Sequence, residues 1–240
     1  MNFNSLDLNS FEYMVSATSV LSAGKKGSNY RNPRKPNATK SLVELTAEQK
    51  DALVGTMLGD ASMERAKTNH SPRVRFEQTF PGHASYVTLL YILFQKLVGQ
   101  FPRVITRKLD PRTGNVYSTF SFKTLAFPCL TEYYNLFYIN GIKVVPYNIL
   151  ELLTPRALAY WIMDDGGKGS YGEMILHTRS FTLSDVQLLQ HAVSHNFGLR
   201  TRLIEKTPGQ WVIVIPVKQV RPLKDIVAHY MTPSMLYKLH

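Results

Sequence analysis

Apolar residues along the chain are spaced at helical and strand intervals in turn, and this alternation runs through the sequence twice. Leu89, Leu93 and Leu97 recur every four residues, which is typical of one face of a helix. Val74 and Phe76 instead alternate with charged neighbours, as in a half-buried strand. The first set of predicted elements comprises helices over 47–60, 83–98 and 125–139, and strands over 72–80, 103–109 and 116–124.

A second set follows, and each set opens with a helix-capping signal. Thr46 and Gln49 form a capping box before the first helix, and Thr154 precedes Pro155 at the start of its counterpart. The second set comprises helices over 154–165 and 183–196, strands over 173–181, 200–206 and 210–217, and two short helices at the end. This repetition predicts an α+β fold, a pseudo-two-fold pair of αββαββα subdomains with antiparallel sheets, over 45–145 and 146–240.

The two helices that open the sets end in matching carboxylates. When Leu58-Gly59-Asp60-Ala61 is aligned with Met163-Asp164-Asp165-Gly166, Asp60 and Asp165 fall in register, 105 residues apart (165 − 60). Small residues in both helices would allow close packing along the dyad, because interaxial distance follows side-chain size. These are Gly55, Gly59, Ala157 and Ala159. We therefore expect the two carboxylates to meet.

Carboxylates at adjacent helix C-termini predict a site for hard divalent cations. The helix macrodipole adds partial negative charge there, and Mg²⁺ prefers oxygen ligands. We expect the side chains of Asp60 and Asp165, and the carbonyl oxygens of Gly59 and Asp164, to bind two or more such ions. Ions held in this way activate water and stabilise the leaving oxygen in phosphodiester hydrolysis.

The charge of the chain indicates which class of partner it binds. Lys and Arg number 28 against 17 Asp and Glu, a net charge of +11, which favours a polyanion because neutralising phosphates releases counterions. A basic surface without a particular partner remains an alternative. Residues 1–44 are predicted to form a flexible basic arm, and both a DNA-tracking arm and a solvated tail remain open for it.

Other features exclude several classes of protein. No run approaches the roughly 18 apolar residues of a membrane span. Cys129 is the single cysteine, so no internal disulfide is possible, and no Cys/His set has zinc-site spacing. The first twenty residues contain no Lys or Arg, which argues against a secretory signal or an Arg-rich transit peptide. None of the histidines shows metal-ligand spacing, and four of them are interpreted as helix-surface or structural residues: His83, His191, His195 and His229.

These residues resemble the LAGLIDADG homing endonucleases, in particular the single-chain mitochondrial group, over roughly residues 45–240. The resemblance rests on the following segments: Leu58-Gly59-Asp60-Ala61, Leu158 to Lys168, Arg179-Ser180-Phe181-Thr182 and Pro233 to Leu239. Three residues depart from the family pattern, in which small residues are common: Ala61 replaces a glycine, and Tyr160 and Asp164 are larger than usual.

The resemblance implies a magnesium-dependent endonuclease that cuts both strands of a long, asymmetric DNA site across the minor groove. Such an enzyme leaves short 3′ overhangs. Ca²⁺ is expected to bind to it without supporting cleavage. The family's metal-binding acids fall on Asp60 and Asp165, and its basic active-site residues on Lys143 and Lys238. Its solvent-ordering polar positions fall on Gln78 and Arg179. The resemblance also implies a monomer in a mitochondrion or another organelle.

Recognition of the DNA sequence is expected to come from the strands. Two-stranded ribbons fit the major groove, where Arg and Lys read guanine and Gln reads adenine. The predicted DNA-binding residues of the first half are Arg73, Arg75, Arg107, Lys108, Thr119, Ser121 and Lys123. Those of the second half are His177, Arg179, Arg200, Arg202, Lys206 and Gln210. Base contact, phosphate contact and simple exposure remain open for each of them.

Two other functions fit the basic surface. One is an RNA maturase that assists splicing of its host intron on the same fold, and the other is a DNA-binding regulator without nuclease activity. Neither needs the acidic pair, so the presence of Asp60, Asp165, Lys143 and Lys238 favours cleavage. A double role as endonuclease and maturase stays open.

Overall fold

The structure, a computed structural model, describes residues 40–239, so most of the predicted basic arm lies outside the described residues. The first half consists of α1 (Ala47–Leu58), β1 (Ser62–Glu64), β2 (Arg73–Phe80), α2 (Ala84–Phe94), β3 (Arg103–Thr106), β4 (Ser118–Lys123), α3 (Thr131–Phe137), β5 (Tyr138–Ile139) and β6 (Ile142–Lys143). Two short 3₁₀ helices, Gln95–Leu97 and Pro128–Leu130, extend this half.

The second half repeats the same order after a short connecting helix. It consists of α4 (Ile149–Leu152), α5 (Pro155–Asp165), β7 (Gly166–Lys168), β8 (Met174–Leu176), α6 (Leu183–Phe197), β9 (Arg202–Thr207), β10 (Gln210–Ile215), α7 (Val217–Val227) and the 3₁₀ helices Ala228–Tyr230 and Pro233–Leu239. None of the helices within residues 40–239 has the length and apolar character needed to cross a lipid bilayer.

Each half contains a four-stranded antiparallel sheet with the same strand order. The orders are β1-β2-β4-β3 and β7-β8-β10-β9. The hairpin β3–β4 of the first sheet therefore occupies the same place as the hairpin β9–β10 of the second. The predicted pair of αββαββα subdomains is therefore confirmed. The first strand of each sheet has only three residues. Such strands are too short to show alternation, which is why apolar spacing alone does not find them.

The two motif helices, α1 and α5, start where their capping residues predict. Thr46 accepts a hydrogen bond from the backbone N–H of Gln49, whose side chain accepts one from the Thr46 N–H. The Thr154 hydroxyl accepts a hydrogen bond from the backbone N–H of Ala157, and Pro155 occupies the first turn. Each cap satisfies amide groups that no helical carbonyl can reach.

The helices α1 and α5 cross at two closely packed points. A β-carbon on Gly55 would lie 2.6 Å from the Cβ of Tyr160, and one on Gly59 would lie 2.4 Å from the Cβ of Asp164. Both pairs are 105 residues apart (160 − 55 and 164 − 59), the offset between the two motif carboxylates. The helices are therefore related by an approximate two-fold axis that passes between these residues.

One hydrophobic core joins both halves through the motif helices. Leu53 and Met57 of α1 and Trp161 and Ile162 of α5 are fully buried in the same cluster. Burial of each such side chain contributes about 1.5–3 kcal/mol relative to exposure. Since the two helices bury their apolar faces against each other, the halves stabilise one another.

Several predicted elements differ in extent from the observed ones, and two of these differences affect the site. The strand predicted over 173–181 ends at Leu176. The chain turns away there, because the Thr178 hydroxyl donates to the carbonyl oxygen of Trp211 and the Phe181 N–H donates to the carbonyl oxygen of Thr178. The helix predicted over 125–139 is shorter, and its last residues instead pair as the hairpin β5–β6. That hairpin carries Lys143 toward the end of α1.

Candidate active site

The carboxylates of Asp60 and Asp165 stand at the ends of the two motif helices, on the pseudo-two-fold axis. Asp60 follows the last turn of α1 and is exposed, whereas Asp165 is the last residue of α5 and is half-buried. Burial, and then the negative charge of Asp60, raise the pKa of Asp165 to about 7, although Lys143 and Lys238 oppose the shift. The charge of Asp60 thus acts on Asp165 across the ends of the two helices, and a shared metal centre stays a prediction.

The side chain of Asp164 lies between the halves, a position that the sequence analysis did not assign to it. Its Oδ2 accepts a hydrogen bond from the backbone N–H of Asp60 at 3.1 Å. Gln78 then joins the two acids, because its Nε2 donates to Asp60 Oδ2 at 2.7 Å and to Asp164 Oδ1 at 3.1 Å. Burial, followed by the charge of Asp60, raises the pKa of Asp164 well above its ordinary value. These contacts fix the Asp60 carboxylate in the first half against the end of α5.

A lysine from each half reaches the C-terminus of the motif helix of its own half. Lys143 Nζ donates to the carbonyl oxygens of Gly59 and Ala61 at 2.8 and 2.9 Å. Burial lowers the pKa of Lys143 to about 8, against the attraction of the three aspartates. Lys143 therefore lies at the end of α1, where its charge acts on the three aspartates.

Lys238 contacts the end of α5 in the second half, and only the Asp164 carbonyl among its partners corresponds to a partner of Lys143, namely Gly59. Its Nζ donates to the carbonyl oxygens of Ile162, Met163 and Asp164 at 3.2, 2.5 and 2.9 Å. Burial lowers its pKa as well. The carbonyls of Gly59 and Asp164 thus contact lysine ammonium groups in the structure, and their role as metal ligands stays a prediction.

The donor set at this centre suits a hard divalent cation. Asp60 and Asp165 supply two carboxylates, and burial first, then the charge of Asp60, disfavours the ionised form of Asp165 and raises its pKa. A bound cation would relieve this repulsion. Among residues 40–239, no three side chains of His, Cys, Asp or Glu are grouped closely enough to hold a metal ion by themselves. Water and phosphate oxygens would therefore complete the coordination, as Mg²⁺ prefers.

The outer face of the first sheet, meaning the face turned away from the core, is densely charged. Val74 and Phe76 of β2 belong to the core, so Arg73, Arg75 and Glu77 alternate onto the outer face. The remaining predicted residues on this face lie on neighbouring strands: Thr119, Ser121 and Lys123 of β4, with Arg107 just beyond β3. Ser121 is 6% exposed and offers little surface, while Lys108 is exposed in the loop after β3.

Ladder positions in the two sheets can be matched one by one. Ser62 lies two residues after Asp60 and pairs with Arg75 in the first sheet. Gly167 lies two residues after Asp165 and pairs with Ile175 in the second sheet. Following the strand pairing from there matches Arg75 with Ile175, Lys123 with Val214, Ser121 with Val212 and Arg103 with Ile204.

The matched positions of the second sheet are apolar. Ile175, Val212 and Val214 are buried and, with Ile204 packed against them, form a cluster separate from the main core. The predicted DNA-binding residues Arg200, Arg202, Lys206 and Gln210 are exposed in or beside β9 and β10. The two sheets thus share a backbone but present different surfaces.

Comparison with known proteins identifies the relatives of this site. The model of the LAGLIDADG DNA endonuclease family matches residues 50–223, which include both carboxylates and all strands of both four-stranded sheets. The chain belongs to the LAGLIDADG DNA endonuclease family. The resemblance found in the sequence is therefore confirmed.

Individual LAGLIDADG relatives match along most of their length. The chain is 32% identical over 200 residues to the cytochrome b mRNA maturase bI2 of Debaryomyces hansenii, covering 81% of this chain and 74% of that protein. It is 29% identical over 207 residues to the probable intron-encoded endonuclease 1 of Wickerhamomyces canadensis, covering 83% and 87% respectively. Among solved structures, the homing endonuclease I-WcaI bound to its DNA recognition sequence matches with a TM-score of 0.78 and 26% identity, covering 87% of this chain and 94% of that one.

The structure of this LAGLIDADG protein brings together most, but not all, of the predicted catalytic residues. Gln78 is buried inside β2 and contacts the acids, whereas Arg179 is exposed in the turn after β8. The strand register matches Arg75 with Ile175, so Gln78 and Arg179 do not occupy equivalent positions in the two halves. His177 lies nearer the two carboxylates than Arg179 does, since the His177 backbone N–H donates to the Asp165 carbonyl oxygen at 3.0 Å. Arg179 stays a prediction.

Sequence reasoning missed side chains that support the site. The interpretation of His83 as a helix-surface or structural residue leaves out its contacts, with Nδ1 2.9 Å from Gln78 Oε1 and Nε2 3.3 Å from the Tyr237 hydroxyl. Burial lowers the pKa of His83, as does the charge of Lys238. The position of His83 five residues after Gln78, just past the strand, is the signal that could have found it.

Proposed function

We propose that this protein is an intron-homing, site-specific double-strand DNA endonuclease. It cuts a long, asymmetric site by divalent-metal-dependent phosphodiester hydrolysis and leaves short 3′ overhangs. The observation that carries the proposal is the convergence of Asp60 and Asp165 at one centre, with Lys143 and Lys238 on either side. Membership of the DNA endonuclease family and the likeness to I-WcaI bound to its recognition sequence support it.

The residues divide the chemistry between two equivalent halves. Divalent cations, most simply Mg²⁺, would supply an activated water and neutralise charge on the scissile phosphate when bound between the carboxylates. Gln78 holds the Asp60 carboxylate in place through its Nε2. The ammonium groups of Lys143 and Lys238 stand where they can stabilise the additional negative charge on a phosphate under attack.

The two outer sheet faces are proposed to lie along the major groove on either side of the cleavage centre. Two-stranded ribbons fit that groove, and the predicted basic residues of both sheets would contact bases or phosphates there. Because both halves are in one chain, a monomer suffices to form the complete centre. We place the protein in a mitochondrion or another organelle, in keeping with relatives named for introns and for cytochrome b mRNA.

A second candidate function is that of an RNA maturase for the host intron. The relative named cytochrome b mRNA maturase bI2, which matches 81% of this chain, favours it. The net charge of +11 suits RNA as well as DNA. Cleavage remains the better supported activity, since splicing assistance does not require the paired carboxylates.

Selection from a randomised duplex library tests the proposal. We expect purified protein to cut a defined sequence with Mg²⁺, to bind the same sequence with Ca²⁺ without cutting, and to give 3′ extensions on sequencing of the ends. A parallel assay measures splicing of the host intron RNA. Splicing assistance without DNA cleavage would favour the maturase, and sequence-specific binding with Mg²⁺ but no cutting would favour a regulator.

A further inference from the structure

Two carboxylates on the outer face of the first sheet each bind two of the predicted DNA-contacting cations. Glu64 Oε2 accepts hydrogen bonds from Arg73 Nε at 3.1 Å and Nη2 at 2.7 Å, and Glu64 Oε1 accepts one from Lys123 Nζ at 2.6 Å. Glu77 pairs with Arg75 through Oε2 and with Arg107 through Oε1. Every basic side chain in these two clusters is thus paired with a glutamate carboxylate.

The strand register shows why the carboxylates are needed there. Arg75 and Lys123 lie directly opposite each other in the β2–β4 ladder, where like charges destabilise a sheet. Glu64 and Glu77 flank this pair and offset the repulsion. The hydrogen bonds from Lys123 and Arg73 also lower the pKa of Glu64, so it stays charged near neutral pH.

These ion pairs are more than scattered surface contacts. Each glutamate is shared by two cations from different parts of the sheet, and the Glu77 side chain is only 17% exposed. The cations keep part of their surface open, with Arg73 and Arg107 each 50% exposed. The ion pairs restrict the rotamers of these exposed side chains, which lowers the entropy lost on binding.

We propose that Glu64 and Glu77 are specificity-determining positioning residues for the first half of the DNA site. They orient Arg73, Arg75, Arg107 and Lys123 toward base edges, guanine in particular, and keep these cations from binding any nearby phosphate. The inference rests on the proposed function, since it assumes that the first sheet lies in the major groove. Bidentate contact of Arg with guanine depends on the direction of the guanidinium group, which is what a shared carboxylate fixes.

The second sheet lacks such clusters within the described residues. The positions matched to Arg75 and Lys123 are Ile175 and Val214. Glu205 of β9 accepts a hydrogen bond from the backbone N–H of Gly209 at 2.8 Å, and no Lys or Arg of residues 40–239 pairs with it. Glu205 is therefore a matched control, an acid on a sheet strand that holds no cation.

Binding selection with Ca²⁺, followed by sequencing, tests the proposal on the full chain. Glu64→Gln and Glu77→Gln should flatten base preference by roughly tenfold at positions on one side of the cleavage point, since each well-oriented contact discriminates by that order. Affinity for unrelated DNA should rise at the same time. Glu77→Asp, which keeps the charge, should give an intermediate profile, and Glu205→Gln should keep the wild-type profile.

The experiment distinguishes failure of this inference from failure of the proposed endonuclease function. If the wild-type protein selects no defined sequence, the endonuclease proposal fails. If it does select one, an unchanged preference in both variants, or an equal loss on both sides of the cleavage point, overturns the role of Glu64 and Glu77. Thermal unfolding of each variant confirms the fold, and for a poorly folded variant the Glu77→Asp profile decides the result.

Discussion

The two halves of the molecule share one backbone plan but differ in the surfaces they present. At the helix ends the halves match closely, with a carboxylate and a lysine from each. On the outer faces they diverge, since Arg75 and Lys123 of the first sheet correspond to Ile175 and Val214 of the second. Cleavage of two similar strands requires symmetry at the centre, while an asymmetric DNA site has no such requirement along its length.

Divergence also reaches the packing between the halves. Gly55 faces Tyr160, and Gly59 faces Asp164, so one member of each pair has no side chain and the other a large or charged one. The halves have therefore become complementary to each other while remaining similar in fold.

The largest expected effect comes from removing either carboxylate of the shared centre. Asp60→Asn and Asp165→Asn should each reduce cleavage by more than about 1,000-fold, because charge stabilisation by the bound cations is worth several kcal/mol. DNA binding should survive in both variants, as measured by gel shift with Ca²⁺. Asp225→Asn, an exposed acid of α7, serves as the control. Full cutting by either variant would refute the symmetric centre.

The two lysines should differ more than the carboxylates do. Lys143→Met should slow cleavage by about 10- to 100-fold and should destabilise the fold less than Lys238→Met does, because Lys143 donates to two carbonyl oxygens and Lys238 to three. Lys238→Met should slow cleavage similarly and also destabilise the fold by about 2 kcal/mol, because the last carbonyls of α5 lose a charged donor.

Cleavage of supercoiled plasmid and denaturant unfolding distinguish these lysine effects. Lys50→Met, an exposed position of α1, should change neither measurement. Equal stability of the two lysine variants would contradict the assignment of an additional structural role to Lys238.

A substitution at the helix crossing tests the packing difference. Gly55→Ala should destabilise the protein by about 1–3 kcal/mol, since its β-carbon would lie 2.2 Å from the Ala157 carbonyl oxygen. For a chain of this size that corresponds to a fall in Tm of roughly 2–4 °C per kcal/mol. Gly82→Ala is the matched control, because no atom lies within 4 Å of its added β-carbon. A Tm for Gly55→Ala equal to that of the control would show that α1 and α5 pack less closely.

The smallest expected effect concerns the salt dependence of DNA binding. Arg202→Ala should reduce the slope of log affinity against log salt by about 1, as for a lost phosphate contact. Arg73→Ala should reduce it less, because Glu64 already neutralises part of that charge. Titrations over a range of salt concentrations measure both slopes. Equal slopes in the two variants would indicate that ion pairing in the first sheet does not persist on DNA.

The sequence predicted the parts of the fold that depend on local signals. The capping box at Thr46, the alternation around Val74 and the common offset of the two motifs were all confirmed. These features follow from backbone hydrogen bonding and side-chain period, which can be recognised within a few neighbouring residues. The pairing of Asp60 with Asp165 followed from that common offset.

What the sequence did not predict depends on contacts between distant segments. The early end of β8 requires Thr178 to reach the Trp211 carbonyl, 33 residues away. The position of the Asp164 side chain requires Gly59 to leave space for it across the dyad. The clusters around Glu64 and Glu77 were not predicted, because each glutamate also pairs with a cation from a distant segment, Lys123 and Arg107 respectively.

The crossing of α1 and α5 makes the two halves non-interchangeable. A hypothetical assembly of two first halves would place glycine against glycine and leave a void where Tyr160 now fits. An assembly of two second halves would force tyrosine against tyrosine and carboxylate against carboxylate at the same spot. Only the mixed pair fills the contact between the helices, so neither half could form a symmetric homodimer through this contact without a change of these residues.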